Sequence, residues 1–240
     1  MITASRQQSK RLYASHTMIE FIEETHTYLV DGVITPSVTT LIHEIWMPSM
    51  YKGINADTLK RAASYGTKVH EMIEKWNKGE ETDVDRKSFE GFALRRYQSL
   101  AEEHVIRAEM QEIPVAYVRD GKALYAGKFD FYGLVDGKKT LMDYKTTSKY
   151  YPKYLSLQLT LYKMALEQTY DVKVESLACM FLPKKSYGNL FEVDELNGEQ
   201  LIKDIITYGT KHNAEDWCNL KVTKSLPTTF YHSIRYLCIS

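Results

Sequence analysis

Cysteine is scarce. The 240-residue chain holds three, Cys179, Cys218 and Cys238, and no C-x-x-C. Odd in number and widely separated, they build neither a disulfide framework nor a cysteine metal cluster. Reduced thiols in an intracellular protein are the simple reading. Net charge is also missing, with 31 Lys and Arg against 31 Asp and Glu. A grossly basic nucleic-acid coat is thereby excluded, but a local basic groove is not, because distribution matters more than the sum. No apolar run approaches the ~20 residues that span a bilayer. The first residues lack the apolar core of a secretory signal. No acid precedes Glu20, whereas Arg6, Lys10 and Arg11 fall in that stretch. Its apolar spacing is poorly helical, so residues 1–17 read as a flexible arm rather than an organelle transit peptide. Internal repeats, low-complexity linkers and G-x-x-x-x-G-K-[ST] are all absent, and without that last motif the chain is not itself a nucleotide-driven motor.

What is present is an ordinary globular composition, 44% apolar and 26% charged, with 18 tyrosines. Tyr suits half-buried surfaces and stacking on ligands, and it also fills cores. Residues 18–34 alternate around Asp31-Gly32, which predicts short strands and a turn. "TPSVTTLIHEIW" predicts a helix start with Ser37 as cap. A helix is expected over Asp57 to Ser64. Gly66 then opens the amphipathic "GTKVHEMIEKW", where Val69, Met72, Ile73 and Trp76 recur at helical spacing. His70 and Glu74 fall one turn apart on a flank of that face, which makes Glu74 a solvated partner for the histidine. Residues 84–104 predict a longer polar helix.

The periodicity then changes. "VIRAEMQEIPVAYV", "ALYAGKFDFYGLVDG" and "KKTLMDYKTT" read as three strands, the last two joined by a turn at Asp136-Gly137. A helix from about Pro152 to Thr169, strands in "VESLACMFLP" and "NLFEVDEL", and a helix over roughly Gly198 to Leu220 complete the order. That order predicts an α/β (α+β) fold with a central mixed sheet flanked by helices. Residues 18–240 are expected to form a single domain.

One constellation carries chemistry. Asp143 and Lys145 project to the same face of their strand, while Met142 and Tyr144 point to the other. Six residues separate Asp130 from Asp136, and six separate Gly137 from Asp143, so Asp130 and Asp143 are near cross-strand neighbours, within ~5 Å if both face one side. Two close carboxylates must share a proton, sit in water or be separated by a cation. A hard divalent ion resolves the conflict, with the Tyr144 backbone carbonyl as a further oxygen ligand. Lys145 alongside could hold an attacking water or stabilise charge on a phosphate. Taken alone, a D-x-K in a strand is more often a solvated ion pair.

The flanking motifs bear on that choice. "GKFD" (127–130) and "DYK" (143–145) resemble the core of the PD-(D/E)XK nuclease superfamily. "GTKVH" (66–70) resembles the G-x-x-x-H element of its RecB-like branch, and "QLTLY" (158–162) the Q-x-x-x-Y helix. "TPSVTTLI" is similar to the opening segment of phage-type and mitochondrial genome maintenance exonucleases of this branch. The resemblance spans about Pro36 to Tyr162, in the family's order. It implies a restriction-endonuclease-like core, about residues 66–193, with an N-terminal helical elaboration. It implies His70, Asp130, Asp143 and the Tyr144 carbonyl as ligands of Mg²⁺ or Mn²⁺. Lys145 would be the catalytic lysine, and Gln158 and Tyr162 would contact substrate or order that lysine. Glu112, in "QEIPV", is a candidate carboxylate behind the ligands. Some relatives hold an iron–sulfur cluster on four cysteines, and three scattered ones cannot do so here.

The substrate implied is DNA, at its ends and possibly single-stranded. Lys145, Lys149 and Lys153 form an acid-free run interleaved with Tyr144, Tyr150, Tyr151, Tyr154 and Tyr162, a mixture that suits single strands. Lys60, Arg61 and Lys68 could line an opposite wall. A solvated lysine face over core tyrosines is the competing reading. The expected activity is a metal-dependent exonuclease in recombination, replication or genome processing, with partner proteins from those processes. The expected setting is the cytoplasm of a bacterial or phage-infected cell. A structure-specific endonuclease on the same fold, and a nuclease-inactive DNA-binding module, are the alternatives.

Overall fold

The computed structural model describes residues 17–23 and 25–212. The expected N-terminal arm, apart from residue 17, lies outside them, as do Cys218, Cys238 and the end of the last expected helix. Three short strands, β1 (Ile19–Ile22), β2 (Thr27–Val30) and β3 (Val33–Thr35), form an antiparallel sheet. Positive φ at Asp31 and Gly32 closes the β2–β3 turn. Ser37 caps α1 (Val38–Leu41), its hydroxyl accepting from Thr40 N, and a π-helical turn over Ile42–Trp46 continues it. Helix α2 (Ala56–Asn77) is one continuous rod where two helices are expected. A mid-helix glycine costs about 1 kcal/mol against alanine. Burial of Leu59, Ala63, Tyr65, Val69 and Ile73 on one side offsets that cost at Gly66. Helix α3 (Phe89–Glu103) starts five residues later than expected because Ser88 supplies its cap.

The main sheet runs β4 (Arg107–Arg119), β5 (Lys122–Val135), β6 (Lys138–Lys145), β7 (Ser176–Phe181) and β8 (Asn189–Glu192). Its pairs are antiparallel except β6–β7, which are parallel and joined through α4 (Pro152–Tyr170). Helix α5 (Gly198–Lys211) ends the described chain. The fold is therefore the expected α+β arrangement, a mixed five-stranded sheet and a three-stranded one flanked by helices.

Side-chain alternation places the layers. Phe131, Met142, Tyr144 and Met180 meet α2 and α3 on one face. Tyr132, Leu141, Leu177 and Cys179 meet α4 on the other. Every residue from Tyr154 to Tyr162 is buried, because α4 has the sheet on one side and α1 and α5 on the other. Helix α4 also covers the exposed edge of β4. Thr169 Oγ1 accepts from Ala116 N and donates to Ala116 O, and the Gln168 amide pairs with both backbone groups of Val118. These bonds occupy groups that an uncovered edge strand leaves free for aggregation. The edge position also accommodates Pro114, which cannot donate to a ladder. Among the described residues no helix is long and apolar enough to cross a membrane.

Two consequences are measurable. A Cβ on Gly127 would lie 2.5 Å from Tyr162 Cε1, inside a packed core. Gly127→Ala should cost ~1–3 kcal/mol in urea unfolding, and adding Tyr162→Leu should return part of the loss, an interaction that a double-mutant cycle reads. The second concerns His43, packed on Tyr51 and Tyr154. Burial lowers its pKa to about 4. The unfolded ring takes a proton below ~6.5 while the folded ring does not, so this contribution to stability is full above pH 6.5 and is lost as pH falls toward 4. His43→Phe should remove on the order of 2 kcal/mol of that loss at pH 4.5, seen as a shallower fall in unfolding free energy than in the wild-type chain.

Candidate metal centre

Strand β5 pairs with β4 along nearly its whole length, but with β6 only from Phe131 to Val135. Past Met142, β6 stays with β7, with Asp143 opposite Cys179 and Lys145 opposite Phe181. The sheet therefore forks between Asp130 and Asp143. Backbone groups of β6 at the fork have lost their strand partner, and buried backbone groups require one. Side chains supply it. Asp130 Oδ2 accepts from Tyr144 N at 2.8 Å, and His70 Nε2 donates to the Tyr144 carbonyl at 3.0 Å. The Tyr144 ring anchors this point in the α2–α3 layer against Tyr97, Phe131 and His70.

The bond to a carbonyl, which only accepts, fixes the proton on His70 Nε2. Nδ1 then faces two carboxylates, Asp130 Oδ1 at 3.6 Å and Glu112 Oε1 at 3.7 Å. One ligand atom from each of His70, Glu112 and Asp130 lies within 4.8 Å of the others. His70 and Asp130 are buried, at 6% and 4% exposure. Glu112 is half-buried and pairs through its other oxygen with Lys128. Ligands 2.0–2.6 Å from a shared ion lie at most about 5 Å apart, so this set fits a divalent cation. The electrostatics agree with that fit. Burial pushes the Asp130 pKa up and Glu112 adds to it, against His70, Lys145 and the Tyr144 amide. At His70, burial favours the neutral ring, but Asp130, Glu112 and Asp143 together outweigh it and raise the pKa. Both shifts describe a concentrated negative site that attracts a cation or a proton.

Next to it, Lys145 Nζ stands 2.6 Å from Asp143 Oδ2 and donates to Gln158 Oε1 at 3.2 Å. Both charged residues are buried, at 4% and 2% exposure. Burial raises the Asp143 pKa to about 7, with Lys145 opposing and Asp130 adding. The Gln158 amide nitrogen is buried and has no hydrogen-bond partner among the described residues. A small cleft reaches Lys145 between Met50, Thr147, Tyr150, Tyr151, Tyr154 and Leu155, with room for about one water.

The structure thus brings His70, Asp130, Asp143, Lys145, Gln158 and the Tyr144 carbonyl together. The group that could hold an ion differs from the expected ligand set, and the Tyr144 carbonyl already accepts from His70. Glu112, expected behind the ligands, joins His70 and Asp130 in the donor group, whereas Asp143 is engaged by Lys145. The cause is a bulge. Counted from the turn at Asp120-Gly121, Glu112 would oppose Phe129. A register shift between Tyr117 and Val118 moves it opposite Asp130, and a positive φ of 51° re-aims its side chain. Tyr162 is not at an open surface. It is buried over Gly127, in the stretch of α4 from Tyr154 to Tyr162 that is covered throughout. Lys149 is exposed beside the Tyr151 ring, and Lys68 is exposed on α2, so neither is part of the buried group. Glu74 pairs with Lys78 rather than with His70. Cys179 is a buried thiol on β7.

No family model matches the chain, and no curated protein does. Among solved structures, one titled "Crystal structure of SSO0001" is similar at 18% identity over 55% of this chain, with a TM-score of 0.32. The chain spans 58% of that structure's length.

Calorimetric titration of the wild-type chain with Mn²⁺ should give saturable binding that His70→Ala abolishes and Glu112→Gln weakens about tenfold or more. Asp130→Asn keeps an oxygen for Tyr144 N and removes a buried charge. Metal-free, it should be as stable as the wild type or more so, while its rise in melting temperature on adding Mn²⁺ should vanish.

Proposed function

We propose that the chain is a divalent-metal-dependent DNA nuclease of the PD-(D/E)XK kind, RecB-like in its motifs, that degrades DNA from its ends. The observation that carries this reading is the buried His70/Glu112/Asp130 group with Lys145 held beside it by Asp143 and Gln158. An ion-pair network built only for stability gains little from burying Asp130 and Asp143 beside half-buried Glu112, with one imidazole and one lysine buried among them. A cation and an anionic ligand would balance that charge.

When bound, Mg²⁺ or Mn²⁺ would polarise a phosphate oxygen and neutralise charge developing on it. The chain's own groups account for the rest. Asp143 and Gln158 hold Lys145 Nζ in one place, so it can orient a water against the phosphorus without the entropy loss of fixing a free lysine. Its positive charge also favours the more negative transition state. The unpartnered Gln158 amide nitrogen is a donor for a phosphate oxygen. His70, tied to the Tyr144 carbonyl, keeps Nδ1 turned toward the carboxylates. The small cleft that reaches Lys145 would admit the attacking water. In this reading the enzyme serves recombination, replication or genome processing in the cytoplasm of a bacterial or phage-infected cell.

End-labelled linear single and double strands, together with single-stranded circles, should be incubated with Mg²⁺, Mn²⁺ or EDTA. Linear DNA should be shortened from its ends with either metal and left intact in EDTA. Lys145→Ala should slow cleavage by ~10²–10⁴-fold while retaining DNA binding and fold. Undiminished cleavage by Lys145→Ala would remove the mechanism, and cutting of circles would show an endonuclease instead.

A further inference from the structure

A second array of rings and cations lies outside the metal centre, where the β7–β8 connection meets α2 and α3. Lys184 Nζ stands 3.8 Å from the centre of the Tyr65 ring and 5.7 Å from that of Phe89. Arg95 lies 4.5 Å over the Phe92 ring. Two bonds fix the surface. The Tyr65 hydroxyl donates to the Phe89 carbonyl at 3.3 Å, and the Arg96 guanidinium donates to the Pro183 carbonyl. Phe89 is 54% exposed, Phe92 46% and Tyr187 89%. Phe89 and Phe92 lie one turn apart on α3, and Tyr187 follows Lys184 by three residues, so large rings are left in water on both sides of Lys184 in a pattern that marks an interaction surface.

The cations identify the class of ligand. Among the described residues no ion pair engages Lys184, Lys185 or Arg95. Lys184 is held by the faces of Tyr65 and Phe89, and Arg95 by the Phe92 ring and the Arg86 carbonyl, which orients an ammonium or guanidinium without cancelling its charge. Cations alternating with exposed rings match a chain of phosphates alternating with bases. A duplex keeps its base faces stacked inside, so only an unpaired strand offers partners for the rings. The location fits as well. Leu182 N donates to the Lys145 carbonyl at 2.7 Å, and Lys184 follows two residues later, roughly 7 Å of chain away.

We propose that Lys184, Arg95, Phe89, Phe92 and Tyr187 form a binding surface for single-stranded nucleic acid that holds the strand leading to the metal centre. Phosphates rest on Lys184 and Arg95, and bases stack on the three rings. This rests on the nuclease reading for its substrate and adds where the strand outside the cleft is held.

The test uses the full chain in EDTA and a fluorescein-labelled oligothymidylate, with affinity read by anisotropy. Phe89→Ala/Phe92→Ala and, separately, Tyr187→Ala should each weaken binding about tenfold. Lys184→Glu should weaken it further and lower the salt dependence by about one released counterion. Tyr187 is almost wholly exposed, so its variant keeps the test valid if the double variant unfolds. The Mn²⁺ titration should be unchanged in all of them. Wild-type affinity in these variants, or no binding by the wild-type chain, would overturn the proposal. So would an acidic peptide of equal charge binding as tightly as the oligonucleotide. Binding that the variants weaken, without cleavage under any metal, keeps this surface and removes the nuclease reading. Cleavage with unaltered variant affinities does the reverse.

Discussion

Where β5 parts from β6, one backbone unit is left without a strand on one side, and the centre is organised around it. The Tyr144 amide finds Asp130, and the Tyr144 carbonyl finds His70. Each bond meets a structural need, because a buried backbone group without a partner costs as much as a lost hydrogen bond. Each also has a chemical result. The first brings a carboxylate into the gap, and the second fixes which nitrogen of His70 carries the proton. The Tyr144 side chain, locked among Tyr97, Phe131 and His70, keeps the backbone unit in place. The candidate metal centre is thus a repair of an interrupted sheet.

The fork also gathers charge in a place that folding alone would avoid. Asp130, Asp143 and Lys145 are nearly fully buried, and Glu112 is half-buried. Burial raises the pKa of both aspartates. Buried ion pairs seldom add stability over apolar packing of the same volume. What they supply here is a set of donors already turned toward a shared point. The surrounding core bears the cost, with every residue of α4 from Tyr154 to Tyr162 buried and its end clasped to β4 through Gln168 and Thr169.

Two zones follow from the layering. On the α4 face, a cleft of water size leads to Lys145. On the side of α2 and α3, rings and cations spread over the surface past the end of β7. The first has room for about one water. The second is open to solvent, with Phe89, Phe92 and Tyr187 exposed. The hydrogen bond from Leu182 to Lys145 makes them neighbours along the same strands.

Local rules reach a definite distance into this protein. The alternation of "LMDYK" and the two-residue turn at Asp136-Gly137 place Asp130 beside Asp143, because a tight hairpin without a bulge has only one register. The spacing of Val69, Ile73 and Trp76 determines which side of α2 is buried, and Ser37 sets where α1 begins. Glu112 lies beyond that reach. A single extra residue near Leu124 shifts β4 by one position against β5, and no local pattern announces it. Tyr162 has helical spacing from Gln158, yet only the assembled layers decide that its ring closes over Gly127 rather than facing a substrate. Lys184, Phe89 and Tyr65 come from three separate segments and become one surface only on folding. Short-range spacing, set by the strand and helix repeats, belongs to the sequence. Register across a bulge and burial between layers depend on contacts between distant segments, and tertiary structure alone decides them.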